Sequence, residues 1–271
     1  MMREGEGERR LRQLLTGSPA PILVSDIDGV LANLVSSIRQ WVLARYNVLI
    51  ATQDITSLHI EYSLRGALMK TGIQLPAEVT EAEDRLRKEL AGQCFVNAWF
   101  YAGLTPTDLA AVFAAQLYSR EVKLDFCLTS RPTTMTNATT EWLARHRIGL
   151  GKNYFRGVLF GAASFNDNAS KARVLQRQVV ATTSAHQPII YFEDDHSAAM
   201  DVVKRDETKR IFVVVVARPW NKLFLAHTLH ELNEEQRTRL MRIDEGLLIY
   251  ILRGGEAVDV ARLRTGTDRK D

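Results

Sequence analysis

The feature that most constrains this chain is a rhythm of short apolar runs separated by stretches of helical spacing. Runs at 21–25, 122–128, 157–160, 188–192 and 211–217 each have the length of a buried strand. Between them, Thr107 opens a helix with Leu109, Val112, Phe113 and Leu117 on one face, and helices are expected at 133–147, with Gly149 as a stop, at 170–182 and at 196–203. Strands apolar on both faces, alternating with helices, argue an α/β fold with a doubly wound parallel sheet. Ligands in such sheets bind beyond the carboxyl ends of the strands, where the strand order reverses.

From Asn33 to Thr107 no strong strand signal occurs. Ile38, Trp41, Val42 and Tyr46 recur at helical spacing, and Thr80-Glu-Ala-Glu83 reads as a capping box opening a charged helix. The expected organisation is a charged N-terminal segment at 1–20, a core at 21–32 and 108–220, a helical insert at 33–107, and a C-terminal helical extension and tail at 221–271. In that extension Leu240, Ile243, Leu247 and Ile251 form a helical apolar stripe, although the run 247–252 also allows a strand.

Of the 271 residues, 46% are hydrophobic and 25% charged, which excludes a disordered chain. No apolar run approaches the roughly 20 residues of a membrane span, and the charged start lacks the apolar stretch of a secretory signal. Only Cys94 and Cys127 occur, so a disulfide framework is excluded and a reducing cytoplasm is expected. The net charge of +3 is too small to imply a nucleic-acid surface by itself. The histidines show no metal-ligand spacing, since His227 and His230 lack a third partner.

Four groups of reactive residues fall at predicted strand ends or helix starts. The first is Asp26-x-Asp28-Gly29. Two close carboxylates repel by about 4 kcal/mol at an effective dielectric near 20, which a cation would relieve, and all-oxygen ligation suits magnesium. An Asx turn before a helix is the plainer alternative. The second is Thr129-Ser130-Arg131-Pro132, where hydroxyls and free N–H groups can hold phosphate oxygens, or where an ordinary N-cap precedes a proline. The third is Lys171, disfavoured by the dipole of the helix it opens and therefore suited to an anion, or simply a solvated lysine. The fourth is Glu193-Asp194-Asp195, which would either bind a cation or cap the helix beginning at His196.

Together, the acid pair, the hydroxyl, the lysine and the acid cluster, in that order, resemble the four motifs of the haloacid dehalogenase superfamily. Asp26 and Asp28 match the first motif, Thr129 the second, Lys171 the third and Asp194 with Asp195 the fourth. Within that superfamily, Thr129-x-Arg131-Pro132, Phe100-Tyr101-Ala-Gly-Leu104-Thr-Pro106 and Arg218-Pro219-Trp220-Asn221 are similar to elements of the 5'-nucleotidase C, or 5'(3')-deoxyribonucleotidase, family. Position 196 departs from that pattern, carrying His where Arg or Lys is expected.

The resemblance implies a Rossmann-like core with a small helical cap, and a magnesium-dependent phosphomonoesterase. Asp26 would be the nucleophile and Asp28 the general acid and base. Asp26, the Asp28 carbonyl and Asp194 or Asp195 would hold Mg2+, with Asp194 the favoured direct ligand. Gly29, Thr129, Ser130 and Lys171 would bind the phosphate. Phe100 and Tyr101, read as neighbours in an extended segment, and Arg131 are candidates for the substrate pocket. A nucleoside monophosphate is the implied substrate. The alternatives are a polynucleotide 3'-phosphatase, the reading in which nucleic acid would be a partner, and a non-catalytic phosphate- or nucleic-acid-binding module. No membrane partner is expected.

Overall fold

The computed structural model describes residues 4–55, 60–76, 78–119, 123–148, 155–162, 171–221 and 229–255. Strands β1 (Ile22–Asp26), β2 (Phe126–Pro132), β3 (Gly157–Ala162), β4 (Ile189–Glu193), β5 (Ile211–Val216) and β6 (Leu240–Ile243) form one sheet of order β3-β2-β1-β4-β5-β6. Every pairing is parallel. This is an open, doubly wound Rossmann-like sheet. The order reverses between β1 and β4, so the switch point lies between Asp26 and Glu193, the last residues of those strands.

The all-apolar runs are explained by burial on both faces. Leu23, Cys127, Ile190, Phe192, Val214 and Val216 point to one side. There they meet Leu109, Val112 and Phe113 of helix α6 (Asp108–Ser119) and Trp142 of α7 (Thr136–Arg145). Ile22, Val24, Leu128, Ile189, Tyr191 and Val213 point to the other. Their partners are Ala172 of α8 (Lys171–Val174), Leu175 in the turn that continues it, and Ala199, Met200, Val202 and Val203 of α9 (His196–Arg205). Helix α1 (Glu4–Thr16) buries Leu11 against the first layer.

Between β1 and α6 the described insert is helical. It contains α2 (Leu34–Tyr46), α3 (Ile60–Lys70), α4 (Val79–Leu90) and the short α5 (Ala98–Ala102). Asn33 caps α2 by accepting from Ser36 N at 3.0 Å. Thr107 caps α6 as expected, its Oγ1 accepting from Ala110 N at 3.2 Å and donating to Val30 O at 2.7 Å. The expected box at Thr80 and Glu83 does not form: α4 begins at Val79 with Glu78 as its cap, two residues earlier than the motif requires.

Several boundaries shift. β2 runs from Phe126 through Pro132, so Thr129-Ser130-Arg131-Pro132 lies in a strand, and α7 begins only at Thr136 after a single 3-10 turn. The C-terminal extension is not all helical. Leu240–Ile243 joins the sheet as β6, and the helix that follows is confined to Glu245–Leu252, α11, after the short α10 (Glu234–Thr238). A stripe at helical spacing hid the strand, whose Leu240, Met241 and Ile243 are buried where the segment pairs with β5. Among the described residues no helix is long and apolar enough to cross a membrane. Leu117's side chain, residue 122, Gly149, His59, His227 and the tail from Thr265 lie outside what is described.

Candidate active site

The site is assembled by strand ends. Asp26 closes β1 and Glu193 closes β4, with Asp194 next along the chain; Lys171 opens α8. All four are buried. Lys171 Nζ lies 2.8 Å from Asp26 Oδ2 and 2.9 Å from Glu193 Oε2. Ligand atoms of Asp26, Glu193 and Asp194 fall within 4.8 Å of one another. The misfit of a lysine at a helix N-terminus is thus offset by two carboxylates.

Burial strips charge from such groups, and the neighbours decide the rest. Asp26 is raised well above the usual carboxylate range, first by burial, then with Lys171 opposing and Glu193, Asp194 and Asp28 reinforcing. Asp194 is raised to about 8, by burial and then by the charge of Glu193. For Lys171, burial works against the ammonium, but Asp26 and Glu193 outweigh it and raise its pKa. With all three carboxylates ionised around the ammonium the formal excess would be two negative charges, and the raised pKa values of Asp26 and Asp194 mean that the metal-free site takes up protons instead. The formal excess, together with hard oxygen donors, fits one divalent cation.

Not all three carboxylates are equally available to it. Glu193 Oε1 accepts from the backbone N of Asp194 and of Asp195, both at 3.0 Å. Its Oε2 accepts from Lys171 and in a short bond from Tyr191. Glu193 therefore organises the loop and the lysine. Asp26 Oδ1, by contrast, is buried without a hydrogen-bond partner among the described residues. Asp194 Oδ2 accepts from Trp220 Nε1 at 2.9 Å. Asp26 and Asp194 are the side chains suited to hold the ion. Asp195 faces elsewhere: it caps α9, accepting from Ser197 N at 2.7 Å and Ala198 N at 3.2 Å.

Gly29 has φ of +83°, which glycine adopts freely. Its missing side chain matters as much, because a Cβ there would lie 2.0 Å from Asp194 Oδ2. The two acid motifs therefore meet across a glycine.

Asp28 stands at the rim and is paired with Arg131, Nε to Oδ2 at 2.8 Å and Nη2 to Oδ1 at 2.6 Å. Arg131 is almost fully buried. Its Nη1 donates to Thr139 Oγ1 at 3.2 Å, and its guanidinium sits 4.3 Å from the centre of the Tyr101 ring. Burial opposes its charge, and Asp28 outweighs that and raises its pKa. Arg131 is thus a partner of Asp28 rather than a free arm for substrate. Thr129 is buried, with Oγ1 accepting from Arg131 N at 3.1 Å, and its own proton is available for donation. Ser130 alternates outward and is exposed.

Phe100 and Tyr101 do not lie in an extended segment. Both are in α5, both are buried, and their rings meet edge to face at 5.7 Å. Trp99 beside them is 63% exposed. Cys94 and Cys127 are buried thiols, and burial pushes both up in pKa, Cys94 to about 12.

Glu193 was legible as a member of the acid cluster but not in its own role of holding Lys171 and Tyr191, although Tyr191 and Glu193, two apart on one strand, share a face. Trp220 and Asn221 entered only through resemblance. Asn221 Nδ2 donates to Asp194 O at 3.0 Å and to Val216 O at 2.7 Å, anchoring the acid loop to β5.

No protein-family model and no curated protein matches this chain. Among solved structures it is similar to a dehalogenase at 14% identity, over 86% of this chain and 96% of that one, with a TM-score of 0.43. It is also similar to an L-2-haloacid dehalogenase from Xanthobacter autotrophicus with chloropropionic acid covalently bound, at 17% identity over 92% and 99% with a TM-score of 0.39. Another L-2-haloacid dehalogenase gives 16% identity over 86% and 98%, with a TM-score of 0.42. The fold assignment rests on the strand order and helix layers described above.

Proposed function

We propose that this protein is a phosphomonoesterase of the haloacid dehalogenase superfamily, dependent on magnesium and working through an aspartyl-phosphate. The observation that carries the reading is the buried cluster of Asp26, Glu193 and Asp194, with Lys171 alongside and an Asp26 oxygen that has no hydrogen-bond partner among the described residues. Asp26, the Asp28 carbonyl and Asp194 would hold the ion. Bound there, it would screen the repulsion between carboxylate and phosphate and stabilise charge on the phosphoryl oxygens.

Asp26 attacks phosphorus, forming the aspartyl-phosphate and expelling the alkoxide. Lys171, already charged, pairs with a phosphate oxygen, and the Thr129 hydroxyl donates to another. Asp28 protonates the leaving alkoxide and afterwards takes a proton from the attacking water. For this, Arg131 must release one Asp28 oxygen, and Thr139 and the Tyr101 ring keep the guanidinium in place meanwhile. The helical insert excludes bulk water.

The favoured ester is a nucleoside monophosphate, on the resemblance of Thr129-x-Arg131-Pro132 and Arg218-Pro219-Trp220-Asn221 to the 5'-nucleotidase C family. A screen of phosphate monoesters with magnesium, including nucleotides and 3'-phosphorylated oligonucleotides, tests it. Turnover of nucleoside monophosphates that is lost in Asp26→Asn and in chelator is the expected result. Turnover confined to oligonucleotides and falling steeply with salt would favour the polynucleotide 3'-phosphatase. No turnover of any ester would overturn the enzyme and leave a binding module.

A further inference from the structure

The C-terminal extension reaches the metal-binding turn through one carboxylate. In the parallel pair β5–β6, Val216 stands level with Ile243, and Ala217 N donates to Ile243 O at 2.8 Å. Two residues further along each segment, Arg218 and Glu245 are therefore level as well. They form a two-pronged ion pair, with Arg218 Nη2 at 3.2 Å from Glu245 Oε1 and Nη1 in a short contact with Oε2. The pair is mostly shielded from water, at 13% and 22% side-chain exposure.

Arg218 has a second task. Its Nε donates to Gly29 O at 2.9 Å. Gly29 N donates to Ala32 O at 2.8 Å, so both peptide planes flanking this left-handed residue are held. One of those planes carries the Asp28 carbonyl, and Asp194 fills the space that a side chain at Gly29 would need. Arg218 is also near enough for its charge to act on the Asp194 carboxylate. Glu245 neutralises that charge and fixes the guanidinium. Its Oε1 accepts from Leu109 N at 3.4 Å too, tying in the start of α6. A second strut from the extension runs alongside: Arg242 Nε lies 3.4 Å from Asn221 Oδ1, and Asn221 holds Asp194 O.

We propose that Glu245 is a positioning residue for the metal site, acting through Arg218 on the Gly29 turn, so that the extension is part of the catalytic apparatus. This rests on the metal-dependent reading of the site. Without Glu245 the guanidinium is free to turn toward Asp194 and the Gly29 carbonyl loses its fixed donor. Both changes weaken binding of a cation. Outer groups that orient metal ligands typically cost about 10–100-fold in metal affinity when removed.

Magnesium affinity of the full-length protein, measured by isothermal titration calorimetry on metal-free samples, tests this without reference to turnover. Glu245→Gln is expected to weaken magnesium about 10-fold. Asp244→Ala provides the control. Asp244 caps α11, accepting from Gly246 N at 2.9 Å, whereas the ion pair with Arg218 is made by Glu245. It should lower the melting temperature while leaving magnesium affinity unchanged. Glu245→Asp keeps the charge and withdraws it by one methylene, so a smaller loss is expected; it serves the same comparison if the Gln variant does not fold. Unchanged affinity in the Glu245 variants would overturn the proposal, as would an equal loss in Asp244→Ala. Wild-type protein that takes up no magnesium would overturn the metal-dependent reading itself.

Discussion

At the scale of single residues, the site is a problem in charge placement. Asp26 and Asp194 are buried acids whose neighbours are mostly acids, and Lys171 satisfies only part of the charge. The pH dependence of stability follows. Asp194 is raised to about 8 by burial and by Glu193, against an unfolded value of about 4. Between those values the native protein holds a proton that the unfolded chain has lost. Stability of the metal-free protein therefore falls as pH rises through that window and levels off above it. Asp26, raised in the same direction, adds to the trend. Thermal melts of metal-free protein should show a higher melting temperature near about pH 5.5 than near about pH 8. Asp194→Asn should flatten the difference, and an unchanged slope in that variant would contradict the assignment.

At the scale of elements, identical residue types carry different duties because of where each element ends. Asp194 and Asp195 are chain neighbours, yet one faces the site and the other closes the first turn of α9. Asp195→Ala should cost about 1 kcal/mol of stability, the usual value of a lost N-cap, and weaken magnesium far less than Asp194→Asn. Equal magnesium affinities in the two variants would remove this division. The same reasoning applies to α5. Because Phe100 and Tyr101 are buried in a helix, Phe100→Ala should destabilise by about 3–5 kcal/mol and depress turnover of every ester alike. A loss confined to nucleotides, with the melting curve unchanged, would instead return that ring to the substrate pocket.

At the scale of the whole molecule, the sheet gathers groups separated by up to 219 positions, from Asp26 to Glu245, around one switch point. A cation binding the folded site and not the unfolded chain must raise stability by mass action, about 2.7 kcal/mol at a hundred times its dissociation constant. Magnesium should therefore raise the melting temperature of wild-type protein and chelator should reverse it, with Asp26→Asn showing a smaller rise. A melting temperature indifferent to magnesium would argue against a cation site.

The sequence by itself determined the parallel α/β sheet, because strands buried on both faces must be apolar throughout, and that pattern survives without any knowledge of partners. It also placed Asp26, Asp28, Thr129 and Asp194 at or near strand ends and Lys171 at a helix start, where backbone groups are free and ligands bind. It could not say that Thr129–Pro132 stays in the strand, that Leu240–Ile243 adds a sixth strand, or that α4 starts before its capping motif. In the first two cases pairing with a neighbouring strand overrode local preference, and the early start of α4 has no structural explanation. Only the folded chain decided which acids face one another. Glu193 is drawn to Lys171 and Tyr191, Asp195 turns to its helix, Arg131 grips Asp28, and Glu245 reaches Arg218. The long-range pairings among these, Lys171 with Glu193, Arg131 with Asp28 and Arg218 with Glu245, depend on strand order and register, which link positions far apart in the chain and leave no local pattern to read.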